Sequence, residues 1–139
     1  KPLLLKSLKN IIANKYQLID QKDDDACYAK KIEKIESRIF WNELAENINL
    51  KVRAFNPFPG AWTFLSGTDL RIKILKSKVI YKNSSENEKN LLIGNVNENM
   101  EVKCGKNYLK ILELQMQGKK KLSVSDFMNG YKFKKLKFR

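Results

Sequence analysis

Histidine is absent from this 139-residue chain. With it go the usual general base near neutral pH and the commonest ligand of transition metals. A Ser-His-Asp triad, a Cys-His pair or a His-ligated metal centre is therefore excluded within these residues. Cysteine is scarce: Cys27 and Cys104 stand far apart, outside any Cys-x-x-Cys spacing. Sequence alone leaves a disulfide between them open, and the expectation is a reduced, cytoplasmic protein. Long apolar runs are missing, so no transmembrane helix is expected. Leu3-Leu4-Leu5 is too short for a signal peptide and lacks a cleavage site. There is no internal repeat and no low-complexity tract. The chain opens on Lys1 rather than Met, as expected of a fragment or a processed product.

What is present is lysine and enough apolar residues for a core. At 42% hydrophobic the chain can bury one domain's interior. Its 28 basic residues against 15 acidic ones leave a formal charge of +13, which attracts polyanions such as nucleic acid or an anionic membrane. The abundance of Lys, Asn and Ile is also what an AT-rich genome produces, but the excess is unevenly placed. Residues 21–50 carry 5 Lys/Arg against 7 Asp/Glu, whereas residues 106–139 carry 10 against 2. Codon bias would not concentrate charge in this way, so a nucleic-acid partner is favoured and no membrane is expected.

Residues 2–15 read as a short amphipathic helix, with Leu4, Leu8, Ile11 and Ile12 on one stripe and Pro2 in the first turn. Residues 17–36 are polar and mixed in charge, a linker. The triplet Asp23-Asp24-Asp25 lacks the spaced oxygen ligands of a cation site and reads as a solvated loop. Asn42 is an expected N-cap, with Glu43 and Glu46 in the first turn of a helix whose apolar face is Leu44, Ile48, Val52 and Phe55. That helix ends at Asn56-Pro57. The period then changes: Leu70, Ile72 and Ile74 alternate with Arg71 and Lys73, a half-buried strand with a basic outer face after a turn at 66–69. Further strand-like runs at 78–81, 91–96, 100–104 and 108–116 are separated by polar turns at 83–90, 97–99 and 105–107. About six short strands predict a mainly β fold with short helices: a small OB-like antiparallel barrel preceded by a helix and a linker. Gly118-Lys119-Lys120-Lys121 is a basic loop, and Ser123 to Asp126 fits a capping-box variant that opens a short helix carrying Phe127 and Met128 and stopping at Asn129-Gly130. The tail interleaves Tyr131, Phe133, Leu136 and Phe138 with Lys132, Lys134, Lys135, Lys137 and Arg139. It either contacts RNA or frays, and its aromatics are expected to pack on the barrel.

The most specific stretch is Arg53-Ala54-Phe55-Asn56-Pro57-Phe58-Pro59-Gly60-Ala61-Trp62. Asn56, Pro57, Pro59 and Gly60 stop a helix and turn the chain. Phe55, Phe58 and Trp62 give the corner an apolar payload. Physically this is a helix-to-strand corner that any small domain could use. Its spelling resembles the Arg-Ala-x-Asn-Pro-(Trp/Phe)-Pro-Gly-Ala-(Trp/Tyr) motif that opens the C-terminal domain of methionyl-tRNA formyltransferases. Three further segments fall in the order of that family. Tyr28-Ala29-Lys30-Lys31-Ile32-Glu33-Lys34-Ile35-Glu36, with Ile39 and Trp41, resembles its interdomain linker. Leu70-Arg71-Ile72-Lys73-Ile74 is similar to its first barrel strand. Leu114-Gln115-Met116-Gln117-Gly118-Lys119-Lys120-Lys121 through Asp126-Phe127-Met128-Asn129-Gly130 resembles its Leu-Gln-x-x-Gly-Lys-Lys segment. The chain departs at Phe40, at Phe58 for the commoner Trp, and at the missing Pro-Gly near Asn90-Leu91, which leaves the 82–94 loop open.

The resemblance implies a domain plan: 1–16 as the last helix of a catalytic domain, 17–36 as the interdomain linker, and 37–139 as the OB-like tRNA-binding domain. It implies a parent transferase that moves a formyl group from 10-formyltetrahydrofolate to the methionyl amino group of initiator tRNA. The catalytic Asn, His and Asp would lie upstream, so this stretch alone is expected to be inactive, with no catalytic residue, cofactor or metal of its own. Its expected partners are initiator methionyl-tRNA and the catalytic domain, and its expected state is a monomer. The expected RNA contacts are Lys119, Lys120 and Lys121 in the loop, Lys30, Lys31 and Lys34 in the linker, and Arg71 and Lys73 on the strand. Arg53, Asn56, Pro57, Pro59, Gly60 and Trp62 are expected to build the corner and the domain interface. Two other readings stay open: the matching domain of another folate-dependent formyltransferase or hydrolase, which acts on small substrates, and a stand-alone OB-like RNA-binding protein.

Overall fold

The computed structural model describes residues 2–82, 92–131 and 136–139. The chain divides into two compact units, Lys1–Lys31 and Ile32–Arg139. In the first, α1 (Pro2–Ile12) forms where the stripe predicts it, and none of its residues is buried. The Lys15 N–H donates to the Asn10 carbonyl (2.8 Å) beyond the helix end. The acidic triplet closes into a single 3-10 turn in which the Ala26 N–H donates to the Asp23 carbonyl at 3.0 Å.

The second unit begins with helix α2 (Ala45–Phe55). The expected N-cap at Asn42 is not there: Leu44 holds the cap position in extended geometry, with no side-chain cap bond. The reason is a competing backbone contact. The Gly105 N–H bonds the carbonyls of Trp41 and Glu43, both at 2.9 Å, and the Ala45 N–H bonds the Lys106 carbonyl at 3.2 Å. Residues 41–44 are thereby tied to another strand's end and cannot wind into the helix. Leu44 is accordingly exposed, and the buried face is Ala45, Ile48 and Val52. Glu43, ahead of the helix, pairs instead with Lys51 at 3.1 Å. At the far end Asn56 is extended, as a residue before proline must be. The Asn56-Pro57 and Phe58-Pro59 bonds are both cis, and the Gly60 N–H returns to the Phe55 carbonyl at 2.9 Å.

The corner feeds an antiparallel sheet of β1 (Ala61–Phe64), β2 (Arg71–Ile80), β3 (Glu101–Lys103), β4 (Tyr108–Met116) and β5 (Lys121–Ser123), in the order β1-β2-β4-β3 with β5 also on β4. The run at 78–81, expected as a strand of its own, is the end of β2. Register shifts between Ile74 and Lys76 and between Lys76 and Ser77 interrupt the alternation there, so one bulged strand reads as two. The run at 91–96 forms no strand among its described residues, only the bridges Asn95↔Lys137 and Val96↔Val102. The expected turn at 83–90 lies outside the described residues. Helix α3 (Val124–Gly130) opens as expected, with the Asp126 N–H donating to the Ser123 side chain, a cap worth about 1 kcal/mol.

The sheet curls, and the chain's end completes it. Residues 136–139 lie between β1's end and the 94–96 segment. Phe64 and Arg139 exchange N–H···O bonds of 3.2 and 3.0 Å, Ser66 donates to the Lys137 carbonyl (2.8 Å), and Phe138 donates to the Gly94 carbonyl (2.9 Å). Gly94 in turn donates to the Lys103 carbonyl on β3 at 2.9 Å. The ring of backbone bonds thus runs β1, β2, β4, β3, 94–96, 136–139 and back to β1. Inside it lie Ile72, Ile74, Val102, Leu109, Ile111, Leu114 and Phe138, with α2 and Phe127 completing the core. Trp41 stacks on Phe138 (centroids 5.5 Å apart), and its indole N–H donates to Thr63 Oγ1 at 2.9 Å. The tail's described aromatics, Tyr131 and Phe138, therefore pack on the barrel, as expected. Both cysteines are free thiols, Cys27 exposed and Cys104 buried. Among the described residues no helix is long and apolar enough to cross a membrane.

Candidate nucleic-acid interface

Strand pairing decides which side chains share a face. On β1, Ala61 and Thr63 point to the core, so Trp62 and Phe64 take the opposite side. Trp62 is paired with Lys73, Lys73 with Gln115, and Gln115 with Lys121. These four residues form a row across β1, β2, β4 and β5 on the outer face, because directly paired residues project together. Phe64 is paired with Arg71 one step along.

The hairpin tip beyond β4 is fastened to the same edge. The Gln117 N–H donates to the Arg71 carbonyl (2.9 Å) and the Lys119 N–H to the Met116 carbonyl (3.0 Å). The Gln115 amide reaches the Lys119 carbonyl at 2.9 Å. Lys119, Lys120 and Lys121 are all exposed there. A groove of about 270 Å³ runs along this edge, lined by Arg71, Lys73, Gln115, Met116, Gln117 and Gly118. Its described lining holds two cations, two amides and no carboxylate. A second groove of about 470 Å³, between α2 and the bulge, is mixed in charge: Arg53, Lys76 and Glu113 all line it, and Lys76 and Glu113 are 4.0 Å apart.

Trp62 organises the other end of the row. Its indole N–H donates to the Lys34 carbonyl at 2.9 Å, and the same carbonyl accepts from Ser37 Oγ at 2.9 Å. Residues 37–39 run alongside it: the Trp62 N–H bonds the Ser37 carbonyl (2.9 Å) and the Ile39 N–H bonds the Trp62 carbonyl (2.8 Å). The Arg71 guanidinium lies 4.2 Å from the Trp62 centroid and Arg38 lies 5.7 Å from it. Phe64, edge-on to Trp62 at 5.2 Å, is approached by Arg38, Arg71 and Arg139 at 5.7, 5.9 and 5.4 Å. Such guanidinium–ring contacts contribute roughly 0.5–2 kcal/mol each, more where water is excluded.

Of the residues expected from sequence to meet RNA, Arg71, Lys73, Lys119, Lys120 and Lys121 come together on this face, with the Lys34 backbone at its border. Lys30 and Lys31 are exposed members of the Lys1–Lys31 unit. In the corner, Asn56 Nδ2 donates to the Leu75 carbonyl at 3.1 Å, and Arg53 is exposed on α2's last turn. The corner and the basic residues, separate in sequence, meet at Trp62. Arg38, Phe64 and Gln115 escaped the sequence reading as site residues. The period of two through Trp62 and Phe64, and the rarity of arginine in a lysine-rich chain, were the signals that could have found the first two. Among the described residues no group of three or more Cys, Asp or Glu could hold a metal ion.

Residues 31–132 match the family described as formyl transferase, C-terminal domain. The chain is 38% identical over 131 residues to a methionyl-tRNA formyltransferase of Rickettsia bellii, covering 94% of this chain and 40% of that protein. It is 39% identical over 113 residues to the enzyme of that name from Orientia tsutsugamushi (81% and 36%), and 36% identical over 129 residues to that of Methylococcus capsulatus (93% and 41%). It thus spans about 40% of the length of these relatives. A solved structure of a HypX variant from Aquifex aeolicus superposes with a TM-score of 0.62 at 16% identity, over 98% of this chain and 26% of that one, a likeness of fold.

Proposed function

The chain belongs to the formyl transferase C-terminal domain family, and from that premise we propose that it is the C-terminal part of a methionyl-tRNA formyltransferase. The parent enzyme transfers a formyl group from 10-formyltetrahydrofolate to the methionyl amino group of initiator tRNA. The present residues bind and position the tRNA; the formyl donor and the reacting amine meet on residues outside them. This stretch is therefore inactive alone. Acyl transfer to an amine gains several kcal/mol from holding the two reactants in place, so a positioning surface is a catalytic asset without touching the reacting atoms.

The observation that carries this reading is the row Trp62, Lys73, Gln115, Lys121 beside the Lys119–Lys121 tip, a cationic face whose groove has no carboxylate among its described lining residues. Lysines there neutralise phosphates and release counterions, giving affinity that depends on salt and little on sequence. Such contacts set register and orientation without reading bases, and A-form RNA is recognised mainly through shape and backbone. Titration of a tRNA transcript against the wild-type chain and a Lys119→Ala/Lys120→Ala/Lys121→Ala variant across a salt series tests it. If all three lysines meet phosphates, the slope of log K against log salt falls by about 2–3. Unchanged affinity with an unchanged slope refutes the assignment of the tip.

A further inference from the structure

Three arginines of this lysine-rich chain surround one pair of rings, and among the described residues only one of them meets a carboxylate. Arg139 Nη2 lies 2.9 Å from Asp69 Oδ1 and 3.0 Å from the Thr68 carbonyl. Arg38 and Arg71 have no carboxylate within ion-pair distance among the described residues. The Nε atoms of both are buried with no hydrogen-bond acceptor. Yet both guanidiniums are held on the same two rings, at 5.7 and 4.2 Å from Trp62 and at 5.7 and 5.9 Å from Phe64.

Two like charges gathered on shared rings repel, and ring stacking leaves the in-plane N–H donors of each fork free to point away from the ring face. An anion with several acceptor oxygens relieves that repulsion. The Trp62 ring is itself fixed by its bond to the Lys34 carbonyl, so little freedom is lost when a ligand arrives. From Arg71 the groove, with no carboxylate among its described lining residues, leads to Gly118 at the lysine tip. That continuity favours a chain of anions over a single one.

We propose that Arg38 and Arg71, stacked on Trp62 and Phe64, form a seat for a phosphodiester group of an RNA backbone at the head of the groove that runs to Gly118. The proposal rests on the RNA-binding reading above and sharpens it. The flexible lysines of the tip supply charge, whereas the rigid arginine pair sets the register of the strand.

The test follows tRNA binding by the chain and its Arg38→Gln and Arg71→Gln variants, alongside the indole N–H signals of Trp62 and Trp41 by NMR. Each arginine variant is expected to bind about eightfold more weakly at 0.1 M salt and to flatten the salt slope by about one, one counterion fewer being released. The Trp62 signal should move on RNA addition, and that of the core residue Trp41 should not. If the tip triple variant binds weakly while both arginine variants bind as wild type, the seat is overturned and the lysine reading stands. If neither set changes binding, both fall. Inorganic phosphate is the second probe: saturation of the Trp62 shift at a phosphate concentration below the RNA phosphate required overturns the RNA assignment in favour of a free-anion site. Should Arg38→Gln fail to fold in a thermal melt, Arg71→Gln and the wild-type Trp62 shift decide the matter.

Discussion

Replacing Phe138 by alanine removes a side chain that is 1% exposed and stacked on Trp41 at the point where the chain's end closes the barrel. The backbone bonds of Phe138 to Gly94 and of Arg139 to Phe64 can persist in the variant, so the loss is that of the ring alone. Truncating a fully buried Phe costs about 3–5 kcal/mol, made up of lost transfer free energy and the cavity left behind. The Trp41 stack adds roughly 0.5–1.5 kcal/mol within that sum. At about 4–8 °C per kcal/mol for a domain near this size, the midpoint falls by about 12–40 °C. Thermal and urea unfolding followed by circular dichroism measure it, and a double-mutant cycle with Trp41→Leu should return a coupling of about 1 kcal/mol. A loss below about 1 kcal/mol would refute the claim that the last four residues are part of the core.

Gly94 has φ of +83° and faces the Phe138 carbonyl oxygen, which a Cβ would strike, whereas Gly118 has φ of +72° in open space. Gly118→Ala should therefore cost about 1–2 kcal/mol in backbone strain, and Gly94→Ala clearly more, as urea midpoints would show. Burial pushes the Cys104 thiol up from 9.0 to about 12, against smaller opposing effects of the Leu109 backbone and Lys103. A thiol reagent at pH 8 should accordingly consume one thiol per native chain, the exposed Cys27, and two in denaturant. Because the folded state holds the Cys104 proton more tightly than the unfolded one, its contribution to stability is complete below about pH 9 and is lost as pH rises toward 12. A Cys104→Ala variant should lack that part of the alkaline slope.

Local signals were legible in the sequence and distant pairings were not. The run at 108–116 became β4 residue for residue, and Ser123 became the cap of α3, because alternation and capping are written in consecutive residues. Asn42 failed as a cap because the backbone of 41–44 is claimed by Gly105 and Lys106, some sixty residues away. The second half of β2 looked separate because the bulge hides its continuity. Nothing local tells 94–96 that its partner is 136–139. On the basic face, the alternation of Ile72 and Ile74 with Arg71 and Lys73 correctly placed two cations outward. That Lys121 and Trp62 share their row follows only from the registers of β4 and β5 with β2 and β1.

The central claim, that this outer sheet face is where the chain meets tRNA, is tested most directly by mapping amide shifts of the isotope-labelled chain as a tRNA transcript is added. The account predicts that the largest changes fall on Trp62, Phe64, Arg71, Lys73, Gln115 and the 117–121 tip, and that they fade as salt rises. Changes concentrated instead on α2 and the groove beside Arg53 and Glu113, with that face unmoved, would contradict it.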